Sequence, residues 1–362
     1  MRILYISDSN STNTRVWVNW FVNHGHKVCL ISDTLSQIDW SGMEIYNLPG
    51  NFNVRIIRFL IWEIWTRQIL NIWQPDILHV HRVSSAGWLG VFSNFHPFVV
   101  TPWGSDLLIH PNRSIIARIL AQIVLRKADL ITLNSKTLLN KAIQYGAEPS
   151  HCHLISWGVD LKIFHPEKTN KLREELGIDD APVILSPRGM KPIYNQDIII
   201  ESIPLVKSKF PKVIYLIQDY NIVSNYKDQL LKRIDELGIS SSVRWLSFQT
   251  PNRYVDYFRM SNAVISVPSS DSIPSTILEA LACGAPVIVS DLPSLREIIT
   301  HQVNGLIVPP KNTHTLAQAT IELLNNPQMR EMFFQYNTEW VLTHANREIE
   351  MEKMEILYKN IL

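Results

Sequence analysis

Short apolar runs rich in β-branched residues alternate with longer segments of helical periodicity along the chain, and this alternation limits the possible folds most strongly. It is typical of βαβ units around a parallel sheet. The first unit is predicted as a strand over residues 2–7, a helix over 12–24 that ends at Gly25, and a strand from Lys27 to Ser32. Further strands of this series are expected near 76–80, 97–101, 129–133 and 153–156.

The same alternation begins again in the second half of the chain. A strand over 182–187 precedes a helix near 195–209. Further strands are expected near 212–217, 242–246, 263–267, 286–290 and 305–308. The second half is therefore predicted to form another doubly wound domain.

The boundary between the domains is predicted in the polar stretch 160–170. A chain of 362 residues exceeds what one hydrophobic core usually organises, which also favours two domains. We therefore predict an α/β protein with two Rossmann-like, doubly wound domains over 1–165 and 166–344. The last segment, 345–362, is predicted to be a helix that can pack back on the first domain.

Charge and cysteine content argue against several functional classes. A formal net charge of +1 disfavours a nucleic-acid partner, because such proteins neutralise phosphates with many Lys and Arg residues. Cys29, Cys152 and Cys283 are too widely spaced for a disulfide framework or a zinc site. The first apolar run turns polar too soon for a signal peptide, so a cytoplasmic protein with reduced thiols is expected.

One apolar segment leaves two interpretations open. Residues 54–67 mix arginines with bulky apolar and aromatic residues, as helices that lie in a membrane interface do. This interpretation predicts peripheral contact with the inner face of a membrane. A helix packed on the first sheet explains the same pattern. No run of about 18 apolar residues predicts a membrane-spanning helix.

Ligands of doubly wound domains bind beyond the carboxyl ends of the strands, so the loops that follow strands are candidate sites. The polar loop 8–15 leads into a helix N-terminus, where backbone N–H groups can bind an anion, although taken alone the loop is better explained as an ordinary helix cap. This loop lacks GxGxxG, so no dinucleotide cofactor is expected. No Asp-x-Asp motif accompanies the site candidates, so no metal is predicted either.

The stretch 267–291 is the most informative part of the chain. It is predicted to contain a strand end, a polar loop, a helix, a stop at Gly284 and another strand. Asp271 lies in the loop and Glu279 in the helix, while Pro274 prevents one regular helix from including both. The two carboxylates can therefore face one cavity, with the helix N-terminus directed at a bound diphosphate.

In this stretch the sequence resembles the family 4 retaining glycosyltransferases of the GT-B fold. Asp271, Glu279 and the Cys-Gly-Ala-Pro-Val turn at 283–287 match the family signature, with Asp in place of the commoner first Glu. The resemblance implies two Rossmann-like domains that face a central cleft. It also implies that Glu279 holds the nucleotide ribose and Asp271 holds hydroxyls of the donor sugar.

Further landmarks of the family follow in their usual order. They are the loop that leads to Arg15, the segments 76–81, 101–106 and 158–160, Arg188, and 304–306. Two departures stand out. Many relatives have a His where this chain has Trp103, and a Lys-Gly pair where it has Tyr194-Asn195. Trp103 is then either a wall of the sugar site or a packing residue, and Lys191 either replaces the missing Lys or is an ordinary surface residue.

The resemblance and the loop positions give three groups of predicted site residues. The catalytic group is Asp271, Glu279, Arg188 and Lys191. The donor-binding group is Ser272, Ile273, Pro274, Ser275 and Thr276. The acceptor-side group is Asn10, Ser11, His81, Trp103 and Asp106, although a structural role explains His81 equally well.

By resemblance, the chain is predicted to move a sugar from a nucleoside diphosphate sugar to an acceptor hydroxyl with retention of configuration. A glycan or lipid-linked acceptor is expected, in the synthesis of cell-surface polysaccharide or glycolipid. The main alternative is a catalytically silent partner subunit that binds sugar nucleotides. A two-domain solute-binding protein is a weaker alternative, because no export signal is expected.

Overall fold

A computed structural model describes residues 1–36, 40, 43–50, 54–167, 171–178, 180–223 and 225–362. Its internal contacts divide the chain into two compact units. Unit 1 comprises Met1–Ser156 with Ile349–Leu362, and unit 2 comprises Trp157–Glu348. The chain therefore passes from unit 1 to unit 2 after Ser156, whereas the sequence analysis placed this boundary after residue 165.

Each unit contains one parallel sheet. The strands of unit 1 are β1 Arg2–Ile6, β2 Lys27–Ser32, β3 Glu44–Asn47, β4 Ile77–His81, β5 Phe98–Thr101, β6 Leu130–Leu133 and β7 Cys152–Leu154. Those of unit 2 are β8 Val183–Ser186, β9 Ile214–Gln218, β10 Val243–Leu246, β11 Ala263–Ser266, β12 Val287–Ser290 and β13 Leu306–Val308. Within the described residues, the strand orders are β3-β2-β1-β4-β5-β6-β7 and β10-β9-β8-β11-β12-β13. The predicted α/β class with two Rossmann-like domains is confirmed.

Helices connect the strands in both units. In chain order they are α1 Thr12–Asn23, α2 Arg55–Trp73, α3 Ser85–Ser93, α4 Ser105–Leu108, α5 Ile115–Lys127, α6 Lys136–Gln144, α7 Lys171–Glu175, α8 Gln196–Lys207, α9 Tyr226–Glu236, α10 Pro251–Met260, α11 Ser275–Ala282, α12 Thr313–Asn325, α13 Pro327–His344 and α14 Arg347–Asn360. Gly25 follows α1 with φ +80°, a conformation that favours glycine at a helix end. Ser114 and Ser135 cap α5 and α6 with side-chain hydrogen bonds.

Apolar helix faces cover both sides of each sheet. In unit 1, residues of α2, α3, α5 and α6 form one core with the strands. In unit 2, one core includes α10, α11 and α7, and the other includes α8, α9 and α12. Strands buried on both faces form nearly continuous apolar runs, which explains why the sequence predicted them. The short strand β3 was missed because its Glu44-Ile45-Tyr46-Asn47 sequence has only two apolar residues, and both are half-buried.

The strand orders identify one ligand-binding position in each sheet. Connections leave in opposite directions between β1 and β4 in unit 1, and between β8 and β11 in unit 2. A crevice forms at the carboxyl ends of such a strand pair, because the loops diverge there. The residues that follow β1, β4, β8 and β11 are therefore the first candidates for a site.

A buried polar network attaches the C-terminal helix to unit 1. The Tyr358 hydroxyl lies 2.5 Å from His79 Nδ1 and 3.1 Å from the Tyr5 hydroxyl. His79 Nε2 lies 2.7 Å from Thr101 Oγ1. Burial, with a smaller effect of His81, lowers the pKa of His79 well below its ordinary value, so the ring is neutral. The network therefore joins α14 to β1, β4 and β5 without a buried charge.

We predict that Tyr358→Phe destabilises the protein by about 1–3 kcal/mol, because buried polar atoms of Tyr5 and His79 lose their partner. Urea unfolding would measure the loss. Tyr336→Phe is the matched control, since Tyr336 is exposed on α13. Equal unfolding midpoints for Tyr358→Phe and the parent would contradict this account of the network.

Candidate functional site

An ion pair lies at the carboxyl edge of the unit 2 sheet, between β8 and β11, where the strand order reverses. Arg188 follows β8, Asp271 follows β11, and Arg188 Nη2 donates to Asp271 Oδ2 at 2.5 Å. Arg188 Nη1 also lies 3.4 Å from Thr276 Oγ1, in the first turn of α11. Three residues predicted from separate segments are thus brought together. Their arrangement places a guanidinium, a carboxylate and a helix N-terminus at one edge of the sheet.

Local hydrogen bonds fix the loop that carries Asp271. Its Oδ1 accepts from the Ser272 backbone N–H at 3.0 Å, and its carbonyl accepts from Ser294 Oγ at 2.8 Å. Pro274 precedes α11 in extended conformation, so the helix begins at Ser275. Ser272 is buried, and Ile273 packs against the core. The predicted donor-binding segment is therefore a rigid entry into α11.

The Arg188 loop is fixed in a similar way. The Arg188 carbonyl accepts from Gln196 Nε2 at 2.8 Å, and Gln196 Oε1 accepts from Ser186 Oγ at 2.9 Å. Burial raises the pKa of Asp271, while Arg188 and the Ser272 N–H oppose this effect. Because both ionic side chains are largely buried, removal of one partner leaves an uncompensated charge.

Glu279 lies one turn further along α11, among charged and aromatic groups from distant segments. Burial raises its pKa to about 7, and Arg347 and then Arg188 oppose the increase. Burial also raises the pKa of Tyr254, with a further increase caused by Glu279. Among the described residues, the Tyr254 hydroxyl and Arg347 Nε are buried without a hydrogen-bond partner. Sequence reasoning missed both residues, since no local motif links α10 and α14 to α11.

The structure explains the departure at Tyr194-Asn195. Asn195 has φ +53°, a left-handed conformation that Gly adopts freely and Asn tolerates. Asn195 Nδ2 donates to the Val267 carbonyl at 2.8 Å and to Ser269 Oγ at 2.9 Å. The ring of Tyr194 lies 4.2 Å from the Arg188 guanidinium carbon. Lys191 lies half-buried before this turn. That Lys191 takes over the role of the Lys that many relatives have at position 194 stays a prediction.

In unit 1, His81 is buried at the end of β4. Its Nδ1 lies 2.9 Å from Ser7 Oγ, while Nε2 has no partner among the described residues. Burial, helped by the adjacent Arg82, lowers the pKa of His81 to about 3. A neutral imidazole is therefore fixed at the carboxyl edge of the sheet, 5.5 Å from the ring of Trp103.

Asp106 holds the loop around Trp103. Its carboxylate accepts from the backbone N–H groups of Val83 and Trp103, each at 2.8 Å. Burial raises its pKa, and these two hydrogen bonds oppose the increase. Because two backbone groups occupy the carboxylate, Asp106 positions the loops that follow β4 and β5. Asn10 and Ser11 lie at the start of α1, where Asn10 Nδ2 donates to the Leu35 carbonyl.

Arg82 is a residue that sequence reasoning missed. It directly follows β4, has φ +87°, and lies 4.6 Å from the Trp103 ring and 3.3 Å from Asp8 Oδ2. Positive φ is unusual for Arg, and such strain is often found at functional sites. Arg82 lines a small pocket together with Asp8, Asp33 and His81. Its position immediately after a strand was the signal that could have identified it.

In the part of the chain that the structure describes, no helix is long and apolar enough to cross a membrane. Nor do three or more His, Cys, Asp or Glu side chains of those residues lie together so that they could hold a metal ion.

Comparisons with known proteins agree with this architecture. The family described as "Glycosyl transferases group 1" matches residues 168–340, and "Glycosyl transferase 4-like" matches residues 2–135. A D-inositol 3-phosphate glycosyltransferase of Jonesia denitrificans is 26% identical over 311 residues, which cover 81% of this chain and 72% of that protein. Its namesake from Rhodococcus erythropolis is 29% identical over 189 residues, or 51% of this chain and 42% of that protein. The chain spans about half the length of most curated relatives that it matches.

A solved structure shows the same fold over the full chain. The structure of Anabaena HepE in complex with UDP-glucose has a TM-score of 0.86 and covers 99% of this chain and 100% of that one. Sequence identity is 16%, so this likeness establishes the fold alone.

We predict that Glu279→Gln changes how stability depends on pH. A carboxyl group whose folded pKa is about 7, above its ordinary value of 4.5, stabilises the fold at low pH and loses this contribution as pH rises through 7. The melting temperature of the parent should therefore fall relative to that of Glu279→Gln between about pH 5 and 8. Glu339→Gln, on the exposed side of α13, is the control. Parallel pH profiles for the parent and Glu279→Gln would show that the carboxyl group is not perturbed.

Proposed function

The chain belongs to the family 4 glycosyltransferases of the GT-B fold, and we propose that it transfers a sugar from a nucleoside diphosphate sugar to an acceptor hydroxyl. The main support is the Arg188–Asp271 pair beside the N-terminus of α11, with Glu279 in the same helix. Anabaena HepE, which has the same fold, was solved with UDP-glucose. Its ligand supports a nucleotide-sugar donor for this chain as well.

In this proposal the donor diphosphate binds at Arg188. Arg can bind phosphate through two parallel N–H bonds, and the free N–H groups at the start of α11 favour the same anion. Asp271, freed from part of its ion pair, then accepts hydrogen bonds from the donor sugar. Glu279 accepts hydrogen bonds from the ribose hydroxyls, and its ionised form accepts them more strongly. Arg347 and Arg188 favour that form, since both oppose the effect of burial.

We propose a same-face displacement, which retains the anomeric configuration. The acceptor oxygen forms a bond to the anomeric carbon as the bond to the leaving diphosphate oxygen breaks. The acceptor proton passes to an oxygen of the leaving diphosphate. Negative charge grows on the diphosphate during this step, and a fixed guanidinium stabilises it without reorganisation. Arg188 is therefore assigned the main electrostatic contribution to the rate.

The proposed acceptor is a glycan or lipid-linked sugar of a cell-surface polysaccharide or glycolipid. A catalytically silent partner subunit that binds sugar nucleotides is the alternative, because Trp103 and Tyr194 replace a His and a Lys of many relatives. Release of free sugar from UDP-, GDP- or ADP-sugars by the purified chain would exclude the silent subunit. A donor that binds without any turnover in the presence of acceptors would favour it.

We predict that Arg188→Lys lowers kcat/KM for the donor by about 10- to 150-fold, because one charge-assisted hydrogen bond is lost while the charge is kept. Lys is preferable to Ala here, since Ala would leave Asp271 buried without its partner. Lys191→Ala should lower kcat/KM by about tenfold at most. Asp271→Asn should reduce transfer strongly, and Glu279→Ala should abolish it.

Arg296→Lys is the matched control for Arg188→Lys. Arg296 forms a two-point ion pair with Asp291, and it lies on the exposed surface. Its replacement should leave kcat/KM unchanged. If Arg188→Lys retained the kcat/KM of the parent, the diphosphate would have to bind elsewhere.

We also propose that unit 1 contacts the inner, anionic face of a cytoplasmic membrane through α2 and α5. The exposed apolar side chains of these helices are Ile56, Ile57, Leu60, Ile64, Trp65 and Ile72 in α2, and Ile115, Ile116 and Ile119 in α5. The sequence of α5 contains Arg118, Arg126 and Lys127 but no acidic residue, and the acid of α2, Glu63, is buried. Exposed apolar residues among basic ones fit a surface of anionic lipids.

We predict that Leu60→Ser weakens binding to vesicles that contain anionic phosphatidylglycerol by about tenfold, because a leucine side chain no longer inserts. Leu342→Ser is the matched control, since both leucines are 55% exposed and Leu342 lies on α13 of unit 2. Co-sedimentation at low salt would measure both. Absence of vesicle binding by the parent would leave only the packing interpretation of α2.

A further inference from the structure

The aromatic ring of Tyr194 lies against the Arg188 guanidinium. The guanidinium carbon is 4.2 Å from the ring centroid. Tyr194 is half-buried, and the Arg188 side chain is 12% exposed. The face of an aromatic ring carries partial negative charge, so it attracts a cation, and it does so more strongly where water is excluded. The contact therefore restricts how the guanidinium can turn.

Hydrogen bonds on both sides of Tyr194 fix its place in unit 2. The Ile193 carbonyl accepts from the Ser269 backbone N–H at 2.9 Å. Asn195 Nδ2 lies 2.9 Å from Ser269 Oγ, and Asn195 Oδ1 lies 3.1 Å from the same hydroxyl. Ser269 lies in the loop that joins β11 to Asp271. The turn that carries Tyr194 is thus attached to the loop that carries the partner of Arg188, so the ring is held in place.

The nitrogen atoms of the guanidinium are occupied unequally. Arg188 Nη2 donates to Asp271 Oδ2, and Nη1 lies 3.4 Å from Thr276 Oγ1. Arg188 Nε, by contrast, is buried and has no hydrogen-bond partner among the described residues. A buried N–H group of a cation is costly without a partner, and an anion satisfies it best. The ring and the ion pair therefore hold a guanidinium whose Nε–H is left for a ligand.

We propose that Tyr194 is a positioning residue, whose ring holds the Arg188 guanidinium in place for the donor diphosphate. The inference rests on the proposed function and deepens it at the diphosphate site. Position 194 is one of the places where the chain departs from many relatives, so this role belongs to this chain. When a diphosphate competes with Asp271 for the guanidinium, the ring still limits its movement.

The ring acts on the reaction only through Arg188. Negative charge grows on the leaving diphosphate, and a guanidinium that is already oriented stabilises it without reorganisation. Without the ring, the long arginine side chain is free to adopt other rotamers, and its ordering then has to accompany the reaction. The attraction comes from the ring face, which Phe also has and Leu lacks. The phenol hydroxyl of Tyr194 is therefore dispensable.

Tyr194→Leu should lower kcat/KM by about 5- to 30-fold, the range for loss of a desolvated cation–π contact. The donor is whichever of UDP-, GDP- and ADP-glucose the parent turns over fastest. Binding of inorganic pyrophosphate, measured by calorimetric titration, should weaken as well. Tyr194→Phe keeps the ring face, so both measurements should stay within about twofold of the parent.

A double-mutant cycle with Arg188→Lys separates positioning from a general structural effect. Lys has no planar group that can stack on the ring, so Tyr194→Leu should cost about twofold or less in the Arg188→Lys background. A general structural effect would lower kcat/KM by the same factor in both backgrounds, because the free energies of independent effects add.

Tyr336→Leu is the matched control, since it makes the same replacement at an exposed tyrosine of α13. It should change neither kcat/KM nor pyrophosphate affinity. Thermal unfolding of each variant checks its fold. Tyr194→Met repeats the cycle with a longer side chain if Tyr194→Leu lowers the melting temperature.

The outcomes distinguish this inference from the function on which it rests. Equal factors in both Arg188 backgrounds, or an unchanged Tyr194→Leu enzyme, would overturn the positioning role and leave the proposed function intact. A loss for Tyr194→Phe as large as that for Tyr194→Leu would also overturn it, because the hydroxyl would then be the active group. Coupling in the pyrophosphate titration without turnover of any donor would overturn the proposed function and support the positioning role.

Discussion

The buried ion pair between Arg188 and Asp271 is the interaction on which the candidate site depends. Neither charge is stable alone in a largely buried position, so the sequence must supply both and hold them within hydrogen-bond distance. Gln196 and Ser294 hold the two loops in place, because their side chains donate hydrogen bonds to the backbone carbonyls of Arg188 and Asp271. A bound diphosphate would compete with Asp271 for the same guanidinium. In the proposed function, this one interaction keeps both charges compensated without ligand and presents a cation to the donor.

Much of the fold could be predicted because its signals are local. A strand buried on both faces needs a continuous apolar run, and a helix needs a periodic one, so each is visible in its own residues. The short edge strand β3 lacks such a run, since only its two central residues are apolar and both are half-buried. Asp271 and Glu279 could be proposed as site residues because the loop, the helix and the following turn lie in one stretch of sequence.

The remaining site residues could not be predicted, because they reach the site through the fold. Tyr254 lies on α10 and Arg347 at the start of α14. No motif in the sequence around either residue indicates that it lies near α11. Arg82 has a local signal, its place directly after β4, but its role depends on the ring of Trp103. The departure at Tyr194-Asn195 became clear only with the backbone, where a left-handed Asn takes the place of Gly.

The segment Gly158-Val159-Asp160, identified in the sequence only as a landmark, gains a physical role from these contacts. Gly158 has φ +63°, and a Cβ atom there would lie 2.4 Å from the Arg347 Cα, so only glycine fits. The Val159 N–H donates to the Ala345 carbonyl at 2.7 Å, and its carbonyl accepts from the Arg347 N–H at 3.1 Å. The Asp160 carboxylate lies 3.7 Å from Arg347 Nη1. This turn therefore positions both the backbone and the guanidinium of Arg347, the strongest opposing charge on Glu279, and so favours the ionised form of that carboxyl group, the stronger acceptor for the proposed ribose.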